Sequence, residues 1–261
     1  MMRIHLHVAR AILFAAFFAI NDISLAQDDV ADVPSQDLHI GEDQNKRYFL
    51  IGPADGGTQP ESGFGLVVVL PGGSGDAEFH PFVKRIFKHA IPDGYLVAQP
   101  VAVTWNQRQQ IVWPTSKNRE RGMKFTTEQF IDAVIDDVGE RQQLDPEKVF
   151  TLSWSSSGPA AYAASLMSEK VQGSFIAMSV FNPKFLPPLA RARGHRYFIY
   201  HSPQDQVCPF WMARKAATEL PTRGAEVEFV EYTGGHGWRG NIFENIRTGI
   251  EWLAEPHADA Q

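Results

Sequence analysis

The chain has 261 residues, with 24 Lys and Arg against 30 Asp and Glu, a formal net charge of −6. That acidic balance, with no Lys/Arg-rich run, argues against nucleic acid as a partner. The single cysteine, Cys208, excludes an intramolecular disulfide framework and a Cys-based zinc cage, so the fold must rest on its own apolar core.

The chain opens with Arg3 and Arg10, a ten-residue apolar run "AILFAAFFAI" (Ala11 to Ile20), and "SLAQ", which sets Ser24 and Ala26 at small-residue cleavage positions. That order of regions predicts a secretory signal peptide over residues 1–26. The run is too short to span ~30 Å of hydrocarbon, so no stable membrane insertion is expected after cleavage. The product is then exported, to a periplasm or out of the cell. Residues 27–45, "QDDVADVPSQDLHIGEDQN", are acidic and poor in large apolar residues, and read as an N-terminal tail. One domain is expected over residues 46–255.

From Arg47 the pattern changes. "RYFLIG" reads as an edge strand. "GLVVVLP" (Gly65 to Pro71) is a continuous β-branched run of the kind buried on both faces of a parallel sheet. "AEFHPFVKRIFKHAI" has helical spacing, and "YLVAQPVAV" is again extended. "TTEQFIDAVIDDVGERQQ" opens with a capping box, Thr126 to Gln129, ahead of a helical stripe. Then come "KVFTLS" as strand, "PAAYAASLM" as helix, and "GSFIAMSV" and "RYFIYHS" as strands. "FWMARKAATEL" is a helix, "EVEFVEY" a strand and "NIFENIRTGIEWL" a closing helix. Alternation throughout predicts an α/β fold, a mostly parallel central sheet with helices on both faces.

In such sheets reactive groups gather beyond the carboxyl ends of the strands. Four loops meet there: "PGGSG", "SWSSSG", "HSPQDQVCP" and "TGGHGW". The second fits a nucleophile elbow, in which residues two before and two after the nucleophile must be small. Ser155 at the tip satisfies this with Ser153 and Ser157. A tip at Ser156 would put Trp154 where a large side chain clashes, and a tip at Ser157 leaves too little strand. A plain Ser-capped helix is the alternative for this loop alone.

A serine hydroxyl attacks only when an imidazole takes its proton, and the imidazole needs a carboxylate to fix its tautomer. His236, in a Gly-lined loop, and Asp205, after the preceding strand, supply that pair in the chain order Ser, Asp, His. His201 reads as a strand-end histidine satisfied locally in the Asp205 loop. An oxyanion needs two backbone N–H donors. Ser156 would give one, and the "PGGSG" loop the other, from Gly73 or else Ser74.

With these loops in order, the chain resembles the α/β-hydrolase superfamily over about Arg47 to Leu253. It is most similar to small secreted esterases of the polyhydroxybutyrate-depolymerase and feruloyl-esterase-like group, and of the phospholipase/carboxylesterase group. "VVVLPGGSG", "LDPEKVFTLSWSSSGPAAYAASL", "HSPQDQVCP" and "GGHGW" carry the resemblance. It implies an eight-stranded, mostly parallel sheet, a Ser-His-Asp triad, cleavage of carboxylic esters through an acyl-enzyme, and no cofactor. Pro71 departs from the His that usually precedes Gly in these groups, and Ser153 and Ser157 replace the elbow glycines. The expected partner is a small-molecule or polymer ester. A serine peptidase or an acyltransferase on the same fold, or a non-catalytic binding relative, are the alternatives. No His-x-x-x-His or carboxylate cluster points to a metal.

The long segment 103–125, "VTWNQRQQIVWPTSKNRERGMKF", falls between a strand and a helix. Trp105 and Trp113 either line the substrate cleft or pack the segment onto the body, with Arg119 and Arg121 at the cleft mouth. Trp154 and Trp238, beside nucleophile and base, are further candidates for the cleft wall.

Overall fold

The computed structural model describes residues 28–52 and 59–255; the expected signal peptide lies outside them. Eight strands form one sheet: β1 (Ser35–His39), β2 (Arg47–Ile51), β3 (Phe64–Leu70), β4 (Tyr95–Pro100), β5 (Leu144–Trp154), β6 (Gly173–Ala177), β7 (Arg196–His201) and β8 (Glu226–Glu231). Their order is β1-β2-β4-β3-β5-β6-β7-β8. β2 runs antiparallel to both its neighbours, and every pair from β4 to β8 is parallel. Among the described residues, five α-helices complete the fold: α1 (His80–Ala90), α2 (Thr127–Arg141), α3 (Gly158–Met167), α4 (Phe210–Glu219) and α5 (Ile242–Ala254).

Successive side chains of a strand point to opposite faces, and β3 shows why its run is apolar throughout. Leu66, Val68 and Leu70 join the core with Phe130, Ile131, Val134 and Val138 of α2 and the alanines of α3. Val67 and Val69 join the opposite core with Val83 and Ile86 of α1 and Ile246, Ile250 and Leu253 of α5. The stripe expected after Thr126 is therefore the buried face of α2, and its capping box closes as predicted, Thr126 accepting from the Gln129 amide. β5 begins earlier than expected, at Leu144, opposite Phe64.

Of the expected tail, residues 28–45 are folded against the domain. Ser35–His39 pairs with Arg47–Ile51 as an antiparallel strand, which moves "RYFLIG" one place in from the edge. Val30 and Val33 are buried against α1 and its neighbours. The acidic residues that gave the segment its tail-like composition face partners: Asp29 pairs with Arg85 at 2.9 Å, Asp32 with Lys88 at 2.8 Å, and Asp37 with Arg47 at 2.7 Å. At the other edge, β8 exposes Glu228 and Glu231.

Candidate active site

β5 turns into α3 through a single short 3-10 turn, Ser155–Ser157, and Ser155 sits at its start with φ +56°. A non-glycine residue in this region is held there against a cost on the order of 1–3 kcal/mol. Two serine hydroxyls brace the turn. Ser157 Oγ, fully buried, lies 2.6 Å from the Leu70 carbonyl at the end of β3 and accepts the Trp154 N–H at 3.1 Å. Ser179, beyond β6, donates to the Ser155 carbonyl at 2.5 Å. The glycine of the expected motif is thus replaced by a residue that ties the elbow to the neighbouring strand. Gly158 is close-packed: a Cβ there would stand 2.1 Å from Ser179 Oγ.

Ser155 Oγ lies 3.0 Å from His236 Nε2, and His236 Nδ1 lies 2.8 Å from Asp205 Oδ2. A carboxylate only accepts, so Nδ1 carries the proton and Nε2 presents its lone pair to the serine hydroxyl. The Asp205 side chain is fully enclosed. Its Oδ1 accepts the Val207 and Cys208 amides, both at 2.8 Å. His201, also buried, places Nε2 2.9 Å from the Cys208 carbonyl and 3.3 Å from Asp205 Oδ2. The carbonyl fixes that proton on Nε2, and burial pushes the His201 pKa below its ordinary 6.5. His201 is therefore a neutral donor beside the carboxylate, a structural partner of the Asp205 loop.

The His236 loop is pinned from two sides. Tyr232 OH lies 3.0 Å from both the Gly235 and Gly237 carbonyls, and Ser202 Oγ accepts the Gly235 amide at 3.1 Å. Gly234 and Gly237 adopt φ +114° and +113°, a region closed to other residues, and so turn the ring back over the sheet.

Gly73 and Ser156 also meet: Ser156 Oγ donates to the Gly73 carbonyl at 3.0 Å, and both residues are exposed on the Ser155 side of the rim. The tryptophans divide differently from expectation. Trp154 is buried under the elbow, edge-on to Phe79, Phe82 and Trp238, and does not line a cleft. Trp113 is also buried, its indole N–H donating to the Pro71 carbonyl at 2.9 Å; it supports the "PGGSG" loop from behind. Trp238 is half-buried and stacks on Tyr200.

Ligand atoms of Asp205, Cys208 and His236 all lie within 4.8 Å of one another. Both Asp205 oxygens are already engaged, and burial pushes the Cys208 thiol up to about 12, so it stays protonated. The donor set suits a proton relay better than an ion. Ser179, Ser202 and Tyr232, which hold the site together, carry no motif of their own; each follows a strand, and that position is the only sequence signal they give.

An antiparallel second strand, a parallel run beyond it, and Ser, Asp and His on loops after β5, β7 and β8 define the α/β-hydrolase fold. No protein-family model matches the chain, and no curated protein matches it by sequence. Solved structures do. The apo form of Thermogutta terrifontis esterase 2 is 16% identical, with a TM-score of 0.59 over 84% of this chain and 91% of that one. A carboxylesterase from Mesorhizobium loti is 16% identical, with a TM-score of 0.60 over 85% and 99%. A truncated carbohydrate esterase from gut microbiota is 11% identical, with a TM-score of 0.62 over 85% and 96%.

Proposed function

We propose that this chain is an exported serine esterase that cleaves carboxylic esters through an acyl-enzyme. Ser155 attacks the ester carbonyl while His236 Nε2 takes the hydroxyl proton. Asp205 stabilises the imidazolium that forms. The Gly73 and Ser156 amides hold the developing oxyanion, a contribution of about 3 kcal/mol per donor. The tetrahedral intermediate collapses as His236 returns the proton to the leaving alkoxide. Water, deprotonated by the same ring, then releases the acid and restores Ser155. The half-buried face of Trp238 forms one wall of the cleft.

The 3.0 Å contact between a strained Ser155 and an oriented His236 gives this reading its main support. Several structural neighbours are the T. terrifontis esterase modified by organophosphates, paraoxon among them, which is consistent with it. A fluorophosphonate probe tests it: the wild type is expected to label at Ser155 and to hydrolyse a short-chain aryl ester. Ser155→Ala should do neither while melting like the wild type. Wild-type turnover in Ser155→Ala refutes the assignment.

A further inference from the structure

The segment 103–125 stands apart electrostatically. It carries Arg108, Lys117, Arg119, Arg121 and Lys124 against the single carboxylate of Glu120, a local charge of +4 in a chain of net −6. All five cations are exposed, and among the described residues none of them forms an ion pair. Arg47, Arg85, Lys88, Arg141 and Arg196, by contrast, each face a carboxylate. Glu120 is in no ion pair with its neighbours; one carboxylate oxygen accepts the Gln110 and Ile111 amides at 3.3 and 3.2 Å. The same bonds draw Arg119–Arg121 against Gln110–Ile111. Asn106 closes the fold of the segment, donating to the Arg121 carbonyl at 3.0 Å while accepting the Arg108 amide at 2.9 Å. Three guanidinium groups therefore branch from one cross-braced loop.

That loop abuts the reacting centre. Trp113 bonds to Pro71, and the Ala102 amide donates to the Gly75 carbonyl at 2.9 Å, so the loop brackets Gly73 and Ser74. Between them lies a groove of about 200 Å³, lined by Ser74, Thr104 and Gln110 with the aliphatic Val103, Ile111 and Val112. Among the described residues no charged side chain lines the groove; its polar side chains are hydroxyls and amides. A hydroxylated ring matches that lining, with anions on adjoining units facing the arginines outside.

Resting on the esterase reading, we propose that the 103–125 loop binds an anionic carbohydrate ester, with a neutral sugar unit in the Ser74 groove and carboxylate or sulfate groups on Arg108, Arg119 and Arg121. An anionic membrane fits less well. Surface-binding segments insert apolar side chains, whereas Trp105, Ile111, Trp113, Met123 and Phe125 are all partly or fully packed inward. Arginine suits the carbohydrate ligand because its planar fork pairs bidentately with carboxylate and sulfate oxygens.

The test uses the full chain carrying Ser155→Ala, so that binding is read without turnover. Probes are acetylated polygalacturonate, dextran sulfate, acetylated neutral xylan, and phosphatidylserine–phosphatidylcholine vesicles. Tighter binding of an acidic polymer than of xylan, by about tenfold at low salt and fading as ionic strength shortens the reach of the charges, supports the proposal. Which acidic polymer binds better identifies the anion. Adding Arg108→Gln, Arg119→Gln and Arg121→Gln should shrink that preference about tenfold with melting unchanged. On the active background it should lower the acidic-to-neutral ratio of kcat/KM alike. Equal binding of acidic and neutral polymers overturns the proposal, as does a preference that survives the triple substitution, or arginine-dependent binding to vesicles alone. Hydrolysis of an uncharged aryl acetate by the wild type tests the esterase reading separately, so either can fail without the other.

Discussion

Ser157→Ala tests whether the elbow is held by its serine or merely tolerates it. The substitution keeps the backbone and removes one buried oxygen. The Trp154 N–H loses its acceptor at 3.1 Å, and the Leu70 carbonyl loses a donor at 2.6 Å. A buried donor left unsatisfied costs about 1–3 kcal/mol, and the lost hydrogen bond to Leu70 contributes about 1 kcal/mol more. No cavity term of note is added, because only a hydroxyl oxygen is removed. The expected destabilisation is about 3 kcal/mol, which for a domain of this size lowers Tm by roughly 6–12 °C. Circular dichroism melts of wild type and variant at pH 7.5 read it directly, with aryl-ester kinetics at 25 °C recorded alongside. A Tm within about 2 °C of wild type would show that the bridge to β3 is incidental and that the turn is set by packing alone.

Gly158→Ala places a Cβ against Ser179, which in turn holds the Ser155 carbonyl, so both stability and turnover should fall, stability by about 1–3 kcal/mol. Wild-type kcat in that variant would show the Ser179 contact to be dispensable. Asp205→Asn leaves a near-isosteric group but cannot hold His236 in the required tautomer while also accepting from both amides; kcat should drop about 10³–10⁴-fold, checked by single-turnover kinetics on a folded sample. One buried and one half-buried histidine set a pH dependence. Burial lowers the folded-state pKa of both His201 and His80 below 6.5, so each contributes stability that is complete above pH 6.5 and is lost as pH falls from there through the depressed folded value. Tm should therefore decline on acidification below pH 6.5, and His201→Gln should flatten the decline.

The strand–helix alternation from Arg47 onward was readable because burial on both faces demands unbroken apolar runs such as Leu66–Leu70, and capping chemistry marks Thr126 unaided. Ser155, Asp205 and His236 could be chosen only together, because each follows a strand, they occur in the order Ser, Asp, His, and small residues flank the serine while glycines flank the histidine. β1 was not legible. Asp29 and Asp32, just ahead of it, look like tail composition until Arg85 and Lys88, more than 50 positions away, are seen beside them. Trp154 misled and Trp113 was left open for a related reason: an indole near a reactive loop can face the cleft or support the loop from below, and only the packing of Phe79, Phe82 and Pro71 decides. His201 was placed correctly in the Asp205 loop, but its contact with the carboxylate itself depends on how the loop folds back.

The outermost strand at the β8 border has consequences for how the molecule behaves in a crowd. A second copy offering its own β8 there would bring Glu228 and Glu231 of both chains together, like charges across a newly formed ladder. Such a border discourages strand-by-strand polymerisation. Replacing the two glutamates with threonine would leave the strand intact and remove that guard, so that concentrated solutions of the variant would turn turbid where the parent stays clear.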